Sequence, residues 1–171
     1  PNMIYNSGDK LNLTGLVVSA QYASGDTAEL GSGVYATDPA KNTELTVAEH
    51  NGKPITVKVG SFTAETTGVL TVRPADISGA SIAAVGPFEY DNGNEIKPTP
   101  AITLGEKTLE NGVDYDLSYE NNINVGTATL TATGKGEYQG TVSTTFQITK
   151  ATGNLTLKVN NEESAVTITY G

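Results

Sequence analysis

The 171-residue sequence contains no cysteine and no tryptophan, and only one histidine, His50. The absence of cysteine excludes disulfides, thiolate nucleophiles and cysteine-ligated zinc. A single histidine excludes a histidine-rich metal site within one chain. It also leaves His50 as the one conventional base for a serine nucleophile, and no Gly-x-Ser-x-Gly turn accompanies it. Basic residues are scarce too: 10 Lys and Arg stand against 19 Asp and Glu, a formal charge of −9. Nucleic-acid binders and proteins of anionic membrane surfaces carry a basic face, so this balance points away from both. No apolar run approaches the ~20 residues of a spanning helix. Nor does any twelve-residue window hold an apolar stripe at helical spacing without a Gly or Pro in it.

Thr, Val, Gly and Asn are abundant. The first two suit pleated, half-buried surfaces and the last two supply turns. The chain is therefore expected to be almost entirely β. In "LNLTGLVVSAQY", Leu16, Val18, Ala20 and Tyr22 alternate with Val17, Ser19 and Gln21, which assigns the first set to an inward face. Asn51-Gly52 suits a two-residue hairpin turn after "TELTV", and Gly60-Ser61 suits a second. Between and after these turns, Ile55, Val57 and Val59, then Phe62, Ala64, Leu70 and Val72, form further inward sets.

The stretch "RPADISG", residues 73–79, reads as a boundary, because Pro74 stops ladder pairing and Gly79 loosens the chain. Residues 76–150 repeat the style. "SIAAV" and "FEY" are short strands around Gly86-Pro87, and Asn92-Gly93 and Asn111-Gly112 are turns. "KPTPAITL" is extended, with Pro98 and Pro100 holding its start at an edge. "GTATLTAT" places Ala128, Leu130 and Ala132 on one face, and "GTVSTTFQIT" places Val142, Thr144, Phe146 and Ile148 inside. Short strands at this spacing suggest a sandwich or barrel. The organisation expected is a β-sandwich over 1–75, a second over 76–150, and a hairpin-like stub over 151–171. The stub reads as the start of a further module, and the whole reads as a piece of a longer protein. A lone hairpin is marginal, so the stub is expected to be ordered by adding to a larger sheet.

Residues 4–72 resemble the bacterial immunoglobulin-like domains of the group 3 type. The opening Tyr5-Asn6-Ser7-Gly8-Asp9, the "LTGLVV" strand and the closing "ITVKVGSFTAETTGVLTV" carry the resemblance, while "GSGVYATDPAKNTELTVAEHNG" departs from that pattern. Residues 77–148 are similar to a related immunoglobulin-like repeat of bacterial surface proteins, through "VDYDLSYENNINVGTATLTATGKGEYQGT". The resemblance implies a secreted or cell-surface bacterial protein built from tandem sandwiches. It transfers no catalytic residue, cofactor or metal ligand.

The acidic stretch "DYDLSYENN" is the first place to look for chemistry. As a strand it turns Tyr115, Leu117 and Tyr119 inward and Asp114, Asp116, Ser118 and Glu120 outward. Neighbouring outward carboxyls then stand about 6.6–6.8 Å apart. That is near an inverting glycosidase pair, but such a pair needs a cleft and one desolvated carboxyl. A solvated acidic face is the expectation. "DNGNE" (91–95) and "ENNIN" (120–124) offer oxygens for calcium, without the twelve-residue loop spacing. Asp76 is the first candidate should calcium sit at the 75–76 junction. "TGKGEYQG" lacks the Gly-Lys-Ser/Thr ending of a phosphate loop, so Lys135 is read as an exposed turn residue and Tyr138 as ring packing over a corner. No lysine falls on an inward position, as a Lys–Asn isopeptide bond would need.

The function expected is a non-catalytic stalk or spacer at the cell surface, its partners being the neighbouring domains of the same polypeptide, with no nucleic acid and no membrane insertion in this segment. The alternatives are an adhesin segment binding a host protein or glycan, or an accessory module of a secreted polysaccharide-degrading enzyme. A stalk predicts no exposed apolar patch beyond a few hundred Å², and an adhesin predicts one.

Overall fold

In a computed structural model the chain is described over residues 1–159 and 162–170, with side chains through residue 153. Nearly all regular structure is strand. The chain divides into two compact units: residues 1–75 with 136–139, and residues 76–135 with 140–171.

The first unit contains β1 (Ile4–Asn6), β2 (Ser19–Gln21), β3 (Thr27–Glu29), β4 (Ala36–Asp38), α1 (Val47–His50), β5 (Pro54–Val59), β6 (Phe62–Val69) and β7 (Thr71–Arg73). β1 runs parallel to β7, with Tyr5 opposite Val72. β2 and β3 form a hairpin, and β4, β5 and β6 form a sheet in that order. The core of this unit joins Tyr5, Leu11, Leu45, Ile55, Leu70 and Val72, with Met3, Leu13 and Val47 packed against them. Gly60, at φ +57, opens the two-residue loop between β5 and β6, the conformation for which glycine is suited.

Asn51-Gly52 is not a hairpin turn. Thr46 caps a single helical turn instead: the Glu49 N–H donates to Thr46 Oγ1 (3.3 Å). Asn51 ends that turn, its Oδ1 accepting from the Val72 N–H (3.0 Å), and Gly52 follows at φ +76. Four residues are too few to show a helical stripe, so periodicity could not reveal α1.

The second unit contains β9 (Ser81–Ile82), β10 (Phe88–Glu89), β11 (Ile102–Leu104), β12 (Lys107–Leu109), β13 (Tyr115–Glu120), β14 (Gly126–Gly134) and β16 (Thr141–Thr149). The two-residue strands β8 (Ala75–Asp76) and β15 (Tyr138–Gln139) fall at the ends of the segments that divide the chain. One sheet has the order β10-β16-β14-β13 and another β12-β11-β9. β10 runs parallel to β16, with Phe88 opposite Ile148. Ala128, Leu130, Phe146 and Ile148 form the core, and Phe88 meets Phe146 edge-to-face at 5.6 Å. Here the alternation read from sequence holds: Ala128, Leu130 and Ala132 are fully buried, while Ser143, Thr145 and Gln147 are exposed. The 73–79 stretch is less loose than its composition suggested, because Ile77 is fully buried.

The last two strands, β17 (Ala151–Val159) and β18 (Glu162–Tyr170), pair antiparallel from Ala151↔Tyr170 to Val159↔Glu162. Among the described residues they form a two-stranded sheet of their own rather than extending a larger one. Long, in-register antiparallel pairing closes the ladder within the hairpin itself.

Candidate functional site

The first unit holds an apolar groove of about 410 Å³ between the β2–β3 hairpin and the β4-β5-β6 sheet. Val18, Ala20 and Leu30 line it from the hairpin side, and Val57, Val59 and Ala64 from the sheet. Tight turns place both walls. Gly25, at φ +92, turns β2 into β3, where the Tyr22 N–H donates to the Asp26 carbonyl (2.9 Å). Cross-strand pairs Val57↔Ala64 and Val59↔Phe62 set the sheet wall. Among the described residues no charged side chain lines the groove, and its volume falls in the range of small-ligand sites.

Tyr22 and Phe62 also line this groove, and they are 56% and 79% exposed. Register put both inward, together with Ala64, and the structure corrects all three, since Ala64 is exposed as well. The face is as read, since Phe62 is in step with Ala64 and Val57. What is missing is a cover over β6: Val57 on the neighbouring strand is buried, whereas Phe62 and Ala64 are exposed. Such exposed rings keep apolar area in water that burial would remove, at about 25 cal/mol per Å².

The acidic strand shows the expected alternation. Tyr115 is buried, Leu117 and Tyr119 are half-buried, and Asp116, Ser118 and Glu120 are exposed. Burial raises the pKa of Tyr115, helped by the Asp114 charge. Burial also raises that of Tyr119, against a lowering by Lys97. The Tyr119 hydroxyl donates to the Pro98 carbonyl (2.7 Å). Asp116 pairs with Lys135 at 2.7 Å, both in solvent. Such exposed pairs contribute little, and neither Asp116 nor Glu120 is desolvated as an acid catalyst must be. Asp114 differs from its outward assignment: it is half-buried and accepts from the Glu110 N–H (2.9 Å), closing the Asn111-Gly112 turn.

The remaining candidates take local roles. Asp76 accepts from the Ser78 N–H (2.8 Å), and that hydrogen bond holds its carboxyl below the usual value. His50 Nδ1 accepts from the Thr46 N–H (3.0 Å), which fastens the ring to α1. It lines a shallow charged cleft with Asp38, Glu49, Lys53 and Glu65. Asn122 in "ENNIN" is buried and donates to the Ile96 carbonyl (3.1 Å), while Asn92 and Asn121 take positive φ in their turns. Tyr138 is buried. Among the described residues no three His, Asp or Glu side chains converge to hold a metal ion.

Two polar arrangements escaped the sequence reading. The Tyr5 hydroxyl donates to the Asn12 carbonyl and accepts from the Asn12 N–H, both at 3.1 Å. In the same unit the Glu137 carboxylate accepts from the Val47 N–H (2.6 Å), the Ala48 N–H (2.9 Å) and the Ser7 hydroxyl (2.6 Å). It thereby satisfies the first donors of α1, which have no partner within the helix. The Tyr5-x-x-Gly-Asp opening pointed at the first tyrosine, whereas nothing near Glu137 in sequence pointed at α1. Compared with known protein families, curated proteins and solved structures, the chain matches none.

Proposed function

We propose that residues 1–150 are tandem immunoglobulin-like modules of a bacterial cell-surface or secreted protein and act without catalysis as a stalk or spacer. The observation that carries this reading is that each compact unit has a hydrophobic core of its own, one centred on Leu11, Leu45, Ile55 and Leu70 and the other on Leu130, Phe146 and Ile148. A spacer under load needs this, because independent cores let one module yield while the next holds. Each unit also joins an early strand in parallel to a closing one, β1 to β7 and β10 to β16. That repeated closure supports a shared architecture. Single-molecule pulling from the two ends tests the reading. Separate unfolding steps for the two units are expected, and one cooperative step for residues 1–150 would overturn it.

A second reading is favoured by the groove. A stalk has no use for two exposed rings over an uncharged cleft, whereas an adhesin segment that binds a host protein does. Titration of candidate ligands by NMR, watching Val18, Ala20 and Val57, tests it. No perturbation by any uncharged ligand would remove this reading and leave the stalk.

A further inference from the structure

We propose, building on that second reading, that the groove and the outer edge of β6 together form one site for an extended peptide, which adds to the β4-β5-β6 sheet and places uncharged side chains against Phe62 and Ala64. Two independent observations define the occupant. The first is main-chain geometry. β6 has β5 on one side and, among the described residues, no strand on the other. The two-residue loop at Gly60-Ser61 makes Val59 and Phe62 a hydrogen-bonded pair, and therefore Val57 and Ala64 as well. Thr63 and Glu65 then turn their N–H and C=O groups away from β5. Such an edge is satisfied by another extended backbone. Of the usual edge-blocking devices Phe62–Glu65 carries only the charge of Glu65 at its far end; it has no Pro or Lys, and the register shift of this strand lies beyond it, where the Ile55 N–H donates to Thr66 Oγ1 (3.0 Å).

The second observation is charge. Among the described residues no ionised side chain lines the groove, so a charged group entering it would be desolvated without a partner. An occupant strand alternates faces with period two. The positions facing the groove are therefore uncharged, and the opposite face is free to carry anything. Phe62, 79% exposed, stands next to the added strand and would be covered by it.

The test uses the full chain, isotopically labelled, and the capped peptide Lys-Thr-Val-Thr-Val-Thr-Lys. The control is the same peptide N-methylated at its central residues, which keeps charge and side chains but removes main-chain donors. Binding is expected to shift the amides of 62–65 together with Val18 and Ala20. N-methylation, Thr63→Pro and Ala64→Glu are each expected to weaken it at least tenfold. Thr63→Pro removes only an outward N–H, and Ala64→Glu is a second, exposed change should the proline disturb the hairpin. Equal affinity for wild type and Thr63→Pro would overturn strand addition while leaving a groove that binds side chains. Silence toward both the peptide and indole at ~1 mM would overturn the inference and the binding reading together. Shifts of the same amides on concentrating the protein alone would assign the edge to a second copy of the chain and overturn the peptide.

Discussion

Replacing Glu137 by alanine is expected to loosen α1 from a distance of 90 residues in sequence. The carboxylate accepts hydrogen bonds from the Val47 N–H, the Ala48 N–H and the Ser7 hydroxyl. Hydrogen bonds to a charged group contribute about 1.5–3 kcal/mol each when shielded. Ala48 is exposed, so water replaces much of its bond, whereas Val47 and Ser7 are half-buried. The expected loss is therefore about 2–4 kcal/mol, well below the sum of three shielded bonds. Glu137→Gln keeps one acceptor oxygen and should lose about half as much. Because the chain holds two units, a single global melt would blur the effect. Native-state hydrogen exchange at the Val47 and Ala48 amides reads it locally. A loss of 2 kcal/mol corresponds to roughly 30-fold faster exchange. Exchange at these amides within twofold of wild type in a folded Glu137→Ala protein would show that solvent serves α1 as well as the carboxylate does.

Three further outcomes are expected. Phe146→Ala, which removes a buried ring packed on Phe88, should cost about 3–5 kcal/mol, whereas Asp116→Ala and Glu120→Ala on the exposed face should stay within about 0.5 kcal/mol. Denaturant melts with calcium and with chelator check this, and a stability loss in the acid variants confined to calcium would replace the solvated face with a metal site. Gly140→Ala should cost about 1–3 kcal/mol, because φ is +82° and a Cβ there would run into the Asp76 carboxylate; combining it with Asp76→Ala should recover part of the loss in a double-mutant cycle. The Asp76 carboxyl is lowered by its bond from Ser78, so its contribution is fully present above the ordinary 3.8 and is lost as pH falls through the lower folded value. The stability gap between wild type and Asp76→Ala should accordingly be constant near neutrality and narrow only in that acid window, and a gap that narrowed between pH 5 and pH 7 would contradict it.

The strands of the second unit were legible in the residues themselves. "GTATLTAT", "TVSTTFQIT" and "YDLSY" alternate with period two, and that period fixes which side chains share a face wherever the strand lies. Turns at Gly60-Ser61 and Asn92-Gly93 were legible for a related reason, since positive φ is a local steric matter that glycine and asparagine resolve alone. Other features depended on what stands opposite. Alternation assigned Tyr22 and Phe62 to the correct face, but only the packing of the first unit decides whether that face is covered, and at the groove it is open. Asn51-Gly52 carries the local preference for a hairpin, yet the cap from Thr46 and the bond from Val72 to Asn51 turn the same residues into the end of a helical turn. Ile77 sits in a stretch composed like a linker and is nonetheless fully buried. Glu137 is the limiting case. Its partner Ser7 lies 130 positions away, and a carboxylate in a glycine-rich turn gives no sign of which distant N–H groups it will meet. Short-range sterics and side-chain alternation are written into neighbouring residues; burial and long-range hydrogen bonding arise only when separate segments are brought together.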